Sequence, residues 1–268
     1  MMRQVQGVEN IIMVSKDGVF LEKEDRALEV TLSDKLDFYD IVKMNIEVKQ
    51  DTSLRICYKK SKEIKLDVSI IVNPNVTFHM QEIKEAKNTK IQTKYCIYEQ
   101  ANVFVQKFYD ASFVKELDLF YLNGVGASIH STMRGIIKGK SELDMMVYHN
   151  YPTTESDIEN KLVTIEKGCV RLHVATLIYN KMRSCKANQS NFILKENREN
   201  STIKPILLIE ENDVEASHSG HISSVDAETL YYMYTRGIKE HEAKKLYIKG
   251  FLKGDFYNID EIMKKYWR

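Results

Sequence analysis

The sequence predicts an all-β protein with C-terminal helices, in which short strands stack as the coils of a β-helix. Three observations lead to this fold class. Apolar runs that favour strands recur from residue 10 to about residue 210. A faint repeat of 29 residues runs through the second half of the chain. After residue 224 the spacing of apolar residues changes from that of strands to that of helices.

The strand-rich part consists of runs in which β-branched and aromatic residues alternate with polar residues. Such alternation is typical of a strand that is buried on one side. The chain has 3 prolines and 11 glycines, a poor supply of residues for tight hairpin turns. The runs are IIMV, RALEVTL, KMNIEVKQ, LRICYKK, KLDVSIIV, KIQTKYCIYEQ, NVFVQKFY and LDLFYL.

The repeat appears when the chain is shifted by 29 residues against itself. A supersecondary unit with a period of 20–50 residues is the mark of a solenoid, and strands without intervening helices would form the coils of a β-helix. The matched positions are Ile129 with Ile158, Met133 with Leu162, Ile136 with Ile165, Lys138-Gly139 with Lys167-Gly168, Leu143 with Leu172, and Met145 with Val174.

Three helices are predicted after the strands. Asp226 is a suitable N-cap for the first helix, and Gly237 supplies a left-handed stop. The second helix is KEHEAKKLYIKGFL, and the third, NIDEIMKKYWR, starts with a capping box at Asn258 and Glu261. We therefore divide the chain into a β-helix core (1–224) and a C-terminal helical subdomain (225–268). The helical part is rich in aromatic residues, a composition typical of a partner surface.

Composition excludes several functional classes. Lysine and arginine nearly balance aspartate and glutamate, giving a formal charge of +1, so the chain is not predicted to bind nucleic acid. No apolar run approaches the length of a membrane span or a signal sequence, which predicts a cytoplasmic protein that does not insert into a membrane. The 4 cysteines lie far apart and are expected to be free thiols. No phosphate-binding G-x-x-x-x-G-K-[ST] loop is present.

The segment EASHSGHISS (215–224) holds two histidines, His218 and His221, with H-x-x-H spacing. The small and polar residues around them favour a turn between a strand and a helix. A mononuclear metal site needs further ligands, and Glu215 is the nearest acidic residue. A metal site at His218 and His221 and a simple turn therefore both remain open. His149 precedes the turn in VYHNYP and is predicted to be solvent-exposed.

The segment from Pro205 to Leu252 resembles the C-terminal signature of the SufB/SufD family, the scaffold proteins of the Suf iron–sulfur cluster assembly system. The family pattern "P-x-L-x-I-x-x-x-D-V-x-x-x-H" is followed by "D-x-x-x-x-x-Y-x-x-x-R-G-I" and then "E-A". The matching residues are Pro205, Leu207, Ile209, Asp213, Val214, His218, Asp226, Tyr232, Arg236, Gly237, Ile238, Glu242 and Ala243. The stretches PTTESD (152–157) and ANQSN (187–191) also look like elements of the family.

This resemblance implies a right-handed parallel β-helix whose C-terminal helices bind SufC, an ABC-type ATPase. ATP hydrolysis would then belong to the partner, and this chain would be a scaffold and not an enzyme. A SufB-type chain, or a second copy of this chain, would pair with the β-helix. The residues that the resemblance places at the ATPase contact are Tyr232, Arg236, Gly237, Ala243, Tyr247 and Phe251.

Within the family this chain resembles SufD more than SufB. The SufB type is thought to build the nascent cluster with a glutamate directly after the histidine and a cysteine 28 positions before it. Here those positions are Ser219 and Ser190. The triplet Ala216-Ser217-His218 keeps the histidine of the SufD type without its cysteine. His218 is therefore the candidate ligand for a transient iron–sulfur cluster shared at a subunit interface.

Cys185 lies five residues before Ser190 and is a second candidate thiolate ligand, although a small, partly buried strand residue is the plainer interpretation. Two other functions stay open at this point. One is a family paralogue that lacks cluster chemistry and serves as a structural partner. The other is a β-helix enzyme that acts on polysaccharide, a class that is usually secreted.

Overall fold

Most of the chain that the structure describes is extended. The structure is a computed structural model that describes residues 9–15, 18–21, 28–32, 42–58, 63–196 and 198–253. The strands are β1 (Glu9–Ser15), β2 (Gly18–Leu21), β3 (Leu28–Leu32), β4 (Val42–Val48), β5 (Thr52–Tyr58), β6 (Glu63–Val72), β7 (Thr77–Ile97), β8 (Asn102–Leu122), β9 (Ser128–Ile137), β10 (Lys140–His149), β11 (Glu155–Thr164), β12 (Cys169–Ile178), β13 (Cys185–Lys195), β14 (Thr202–Ile209) and β15 (Val214–Ser224). Two helices follow, α1 (Ala227–Thr235) and α2 (Glu240–Leu252).

The strands form two parallel stacks that face each other. The first sheet runs β1, β5, β7, β8, β9, β11, β13, β15, and the second runs β4, β6, β7, β8, β10, β12, β14. Strands β7 and β8 belong to both sheets because each passes from one to the other without a break. Antiparallel pairing occurs where β2 joins β1 and β3 joins β4. The result is a β-solenoid of about 6 turns, which confirms the predicted fold class.

The predicted 29-residue offset is correct between β10 and β12 of the second sheet and wrong between β9 and β11 of the first. In the second sheet Leu143 pairs with Leu172, which is the predicted offset of 29. In the first sheet Ile158 pairs with Ser131 instead of Ile129, an offset of 27. The physical reason is corner length: residues 138–139 join β9 to β10, whereas residues 165–168 join β11 to β12. The two additional corner residues lengthen the next coil without disturbing either sheet.

Alternating side chains fill the space between the two sheets. Along β10 every second residue is buried, and the same alternation runs through β11, β12 and β13. Aligned buried positions in successive coils therefore make continuous apolar rows, such as Leu143 beside Leu172. The region between the sheets is called the lumen below; it is filled by side chains and forms the main core.

Glycines occupy corners where the backbone of the neighbouring coil passes closely. A Cβ at Gly139 would lie 2.1 Å from the carbonyl oxygen of Ser112, and a Cβ at Gly168 would lie 2.1 Å from that of Ile137. Neither approach is possible for a residue with a side chain. The glycine at both corners of the repeat thus has a steric cause.

The change from strands to helices falls between Ser224 and Ala227. Asp226 caps α1 as predicted, because its carboxylate accepts hydrogen bonds from the backbone N–H groups of Glu228 and Thr229. Gly237 ends this helix with a φ of 82°. The predicted third helix lies outside the described residues. Neither described helix is long and apolar enough to cross a membrane.

Candidate functional site at the open end of the solenoid

The last strand of each sheet is paired on one side alone. Within the described part of the chain, β14 pairs with β12 and β15 pairs with β13, and their other edges have no strand beside them. Side chains at this end are correspondingly uncovered: Leu208 is 55% exposed and Ile222 is 39% exposed. An uncovered edge with apolar side chains is a template for pairing with another chain.

The segment EASHSGHISS is a strand and not the predicted turn. Residues Val214–Ser224 pair in parallel with β13 over its whole length. Small polar residues favour turns as a local preference, but here they lie in an exposed end strand whose backbone hydrogen bonds to β13 decide its conformation. The turn prediction is therefore wrong, and the H-x-x-H spacing of the two histidines has to be interpreted for a strand.

His218 and His221 lie on opposite faces of β15, because side chains alternate along a strand. His218 is in register with Gln189, whose buried side chain points into the lumen. His221 is in register with Phe192 on the outer face, and their rings are 6.5 Å apart. Among the described residues no three histidine, cysteine or acidic side chains converge on a point that could hold a metal ion. His218 by itself can offer one ligand.

Polar side chains fill the lumen next to His218. Gln189 donates hydrogen bonds to the Thr176 hydroxyl at 2.7 Å and to the Ile206 carbonyl at 3.2 Å. Asn191 donates to the carbonyl of Ser219 at 3.0 Å and so ties the end strand to the coil beneath it. His218 thus lies at the mouth of a polar section of the lumen on a strand whose position is fixed.

The two SufB-type ligand positions are cross-strand neighbours in this fold. Ser190 of β13 pairs directly with Ser219 of β15 on the outer face. A cysteine and a glutamate at these positions would lie side by side, whereas the two serines supply hydroxyl groups, which are poor ligands for an iron–sulfur cluster.

Cys185 is a core residue. Its side chain is 0% exposed and packs with Ile178, Ala187 and Val214. The sulfur lies 3.2 Å from the Thr154 hydroxyl oxygen. The structure therefore places it inside the last coil, away from the surface where a partner could share a cluster.

His149 is buried, which corrects the predicted solvent exposure. Its Nδ1 lies 2.8 Å from the Thr154 hydroxyl and its Nε2 lies 2.9 Å from the Ser156 hydroxyl. Burial lowers the pKa of His149 to about 4, so the ring is neutral at pH 7. The alternation of β10 contains the missed signal, since Met145, Val147 and His149 all lie on the lumen side.

The helices present one face to the solenoid and another to solvent. Ala243 is fully buried, while Tyr247 and Phe251 are partly buried against the outer face of the first sheet. On the other side Tyr231 is 69% exposed and Tyr232 is 58% exposed. The outward set, called the helical face below, consists of Tyr231, Tyr232, Arg236, Gly237 and Leu246. Arg236 lies 5.2 Å from the centre of the Tyr232 ring.

Sequence reasoning missed Arg134, the side chain that fastens α2 to the solenoid. It extends from the outer face of β9, is 1% exposed, and donates from Nε to the carbonyl of Leu252 at 3.2 Å. Its Nη2 pairs with the Glu159 carboxylate at 2.9 Å. A cation at the last carbonyl of a helix is also favoured by the helix dipole. The docking of α2 is therefore polar at its C-terminal end and apolar along its length.

Comparison with known families gives the fold a functional context. Residues 44–251 match the family model described as "SUF system FeS cluster assembly, SufBD core domain". The iron–sulfur cluster assembly protein SufD of Bacillus subtilis is 41% identical over 64 residues, which are 24% of this chain and 15% of that protein.

Two SufBD family proteins match over longer stretches. The protein of Staphylococcus saprophyticus is 24% identical over 196 residues, covering 69% of this chain and 41% of the relative. A protein of Staphylococcus aureus is 25% identical over 164 residues, covering 58% of this chain and 34% of the relative. The chain thus spans less than half the length of these relatives. Because the family model covers most of the chain, including the end strands and both helices, the chain belongs to the SufBD core family of the Suf iron–sulfur cluster assembly system.

Proposed function

We propose that this chain is a SufD-like scaffold subunit that pairs with a second SufB/SufD-type chain and docks a SufC-type ABC ATPase through its C-terminal helices. The observation that carries the proposal is the family match across residues 44–251. Two surfaces within that match fit the two partners: the open end of the solenoid and the helical face. The ATPase hydrolyses ATP, and the scaffold positions its partners and supplies one ligand for the cluster.

The open end suits pairing with a similar chain. Two edge strands offer unpaired backbone groups, and Leu208 and Ile222 offer apolar area beside them. A second solenoid end would satisfy the backbone groups and bury the apolar side chains together. His218 would then lie at the junction, where the partner can provide the remaining cluster ligands.

A charge at the open end is expected to weaken this pairing. Ile222→Lys places an ammonium group among apolar contacts, and we expect at least a tenfold weaker association with a co-expressed SufB-type chain. Ile71→Lys is the matched control, because Ile71 is 37% exposed and Ile222 is 39% exposed, but Ile71 lies far from the end strands. Light scattering coupled to size exclusion measures the association. Equal behaviour of the two variants would exclude the open end as the pairing surface.

The helical face suits the ATPase. Large aromatic side chains with an adjacent arginine are the residues most often found at the energetic centre of protein interfaces. Tyr232 and Arg236 already contact each other, so little side-chain entropy is lost when a partner covers them. Tyr247 and Phe251 pack on the solenoid side of the helices, and Ala243 is fully buried.

Tyr232→Asp is expected to abolish co-purification with a SufC-type ATPase. The substitution puts a charge at the centre of the helical face but leaves the contacts between α2 and the solenoid intact. Tyr179→Asp provides the control, because Tyr179 is 41% exposed on the solenoid itself. Retention of the ATPase by Tyr232→Asp would contradict the docking role. Phe251→Asp is a poor test because Phe251 packs against the solenoid.

His218 is expected to contribute a ligand, and His221 is not. Anaerobic reconstitution of the whole complex with iron and sulfide should yield less cluster with His218→Ala than with wild type, and an unchanged amount with His221→Ala. Iron content and the visible absorption of the cluster measure the outcome. If both variants match wild type, the ligand role of His218 is wrong. That result would favour the alternative of a structural paralogue without cluster chemistry, to which Ser190 and Ser219 also point.

A further inference from the structure

The outer face of the second sheet carries an apolar patch. Outward-pointing residues of successive strands align in two neighbouring rows, because the strands pair in parallel and in register. The residues, called the second-sheet patch, are Leu119, Met146, Ala175 and Ile206 in one row and Tyr121, Tyr148, Leu177 and Leu208 in the other. All of them except Ala175 are at least partly exposed. Contiguous apolar side chains on an exposed face are typical of an interaction surface.

Contacts within the second-sheet patch fix the shape of its surface. The rings of Tyr121 and Tyr148 stack with their centres 4.7 Å apart and an angle of 5° between their planes. Ala175 is 3% exposed, because its small side chain lies between the larger Met146 and Ile206 of the neighbouring strands. The patch is thus a shallow depression whose walls are already ordered, so little side-chain entropy is lost when a partner covers it.

The first sheet shows which kind of element covers such a row in this protein. Ile136, Val163 and Leu194 form an apolar row on its outer face. Each is at most 4% exposed, because α2 packs on this row through Ile248 and Leu252. The cluster under the helices contains no residue of the second-sheet patch. An amphipathic helix is therefore the element that this solenoid places on an apolar row of a sheet.

The backbone of the patch excludes an extended partner in its middle. β10 is paired on both sides, by β8 and β12, and β12 is paired by β10 and β14. A partner cannot add a strand there and has to bind through side chains, as an amphipathic helix does in an apolar groove. Four strands about 4.8 Å apart span about 14 Å, a distance that three helical turns of about 5.4 Å cover.

Positive charge borders the patch on the side where its strands begin. The charged side chains that point outward there, from β8, β10, β12, β14 and the adjoining part of β7, are Lys90, Lys94, Lys115, Lys140, Arg171 and Lys204 against Glu142 and Asp144. Glu142 pairs with Lys115 and with Arg171. Lys94 and Lys204 lie nearest the patch, and no carboxylate in the part of the chain that the structure describes pairs with either.

The opposite border of the patch is neutral. Asn123 and Asn150 lie two residues after Tyr121 and Tyr148, and the Asn150 amide donates to the Asn123 side-chain oxygen at 2.8 Å. An anionic membrane would attract cations on every side of the patch. A helix with acidic residues along one border matches cations that lie on one side alone.

We propose that the second-sheet patch binds an amphipathic helix of another protein, with the apolar stripe of that helix on the patch and acidic residues along one border facing Lys94 and Lys204. The helix lies across β8, β10, β12 and β14, as α2 lies on the first sheet. Apart from Leu208, this surface is separate from the open end and from the helical face. The inference therefore does not depend on the partners proposed for those two surfaces.

Fluorescence anisotropy with two labelled, hydrocarbon-stapled helical peptides tests the proposal on the whole chain. Both peptides carry leucine at positions i, i+3, i+4 and i+7. One has glutamate along one border of the leucine stripe, and the other has lysine there. We expect the wild-type chain to bind the glutamate peptide at least about tenfold more tightly at low salt, and the difference to shrink in about 1 M salt.

Two variants separate the apolar contact from the charge. Leu177→Asn should weaken binding of the glutamate peptide by about tenfold, because it removes apolar contact in the middle of the patch without changing the charge. Leu246→Asn is the matched control and should bind like wild type, because Leu246 is 50% exposed on the helical face. The double variant Lys94→Glu, Lys204→Glu leaves the apolar rows intact and should prefer the lysine peptide.

Three results would overturn the proposal directly: no binding of the glutamate peptide to the wild-type chain, equal binding by Leu177→Asn and Leu246→Asn, or an unchanged preference in the double variant. Light scattering and vesicle sedimentation check two other occupants. Self-association that Leu177→Asn abolishes would assign the patch to a second copy of the chain. Sedimentation with vesicles of phosphatidylcholine and phosphatidylserine that Leu177→Asn abolishes would assign it to a membrane. Either result also refutes the binding of a partner helix.

Discussion

Replacing Lys107 with methionine is expected to lower the free energy of unfolding by about 4 kcal/mol. Lys107 is fully buried between the two sheets and contacts three buried carboxylates, those of Glu82, Glu116 and Asp118. Its removal takes the shared ammonium group away from all three carboxylates in a lumen that is filled by side chains. Methionine fills a similar volume, so the loss is electrostatic and not a cavity effect.

Lys115→Met is the matched control for this prediction. Lys115 lies on the same strand and pairs with Glu142 at 3.3 Å, but its side chain is 53% exposed. A solvent-exposed pair contributes about 0–1 kcal/mol, so this variant should unfold close to wild type. Urea unfolding followed by circular dichroism measures both. If Lys107→Met costs no more than Lys115→Met, the ion pairs of Lys107 do not hold the two sheets together.

Replacing Arg134 with methionine is expected to detach α2 from the solenoid and to cost about 3 kcal/mol. The guanidinium group binds the last carbonyl of the helix, at Leu252, as well as the Met133 carbonyl at 2.9 Å and the carboxylate of Glu159. The variant leaves the Leu252 carbonyl buried without its donor. The apolar contacts of Ile248 and Leu252 remain but no longer fix the end of the helix.

Hydrogen exchange of the α2 amides measures this effect locally. We expect faster exchange over Glu240–Leu252 in Arg134→Met, with slow exchange retained in β9 and β11. Arg171→Met serves as the control, because Arg171 pairs with Glu142 on the surface with 67% of its side chain exposed. Unchanged exchange in α2 would show that the apolar contacts alone hold the helix.

The fold class could be predicted from sequence because two physical signals agree along the whole chain. Alternating burial marks strands such as β10 to β13, and Asp226 and Gly237 mark the boundaries of α1. The register between strands of successive coils was harder to predict, because it depends on corner lengths that an apolar pattern does not reveal. The continuity of β7 and β8 was missed for a related reason: polar residues interrupt the apolar alternation where each strand crosses between sheets.

The site was only partly accessible to the same reasoning. His218 was identified by resemblance, and its position on an end strand follows from pairing with β13, a long-range contact with no local signal. Charged residues in strands such as Glu82 and Lys84 are ordinarily assigned to the solvated face. The burial of Lys84 depends on Glu116, which the opposite sheet contributes 32 positions later in the sequence. Arg134 was missed likewise, because its partner carbonyl belongs to a helix 118 residues later.

One end of this solenoid is proposed to pair with a second scaffold chain while the helices hold an ATPase. Hydrogen exchange of the chain, measured alone and then with a co-purified SufB-type chain and SufC-type ATPase, tests it most directly. We predict that the scaffold partner slows exchange in β14 and β15, that the ATPase slows exchange in α1 and α2, and that the outer faces of β9 to β12 do not change. Unchanged exchange in the end strands and helices, or protection confined to the middle of the solenoid, would contradict the claim.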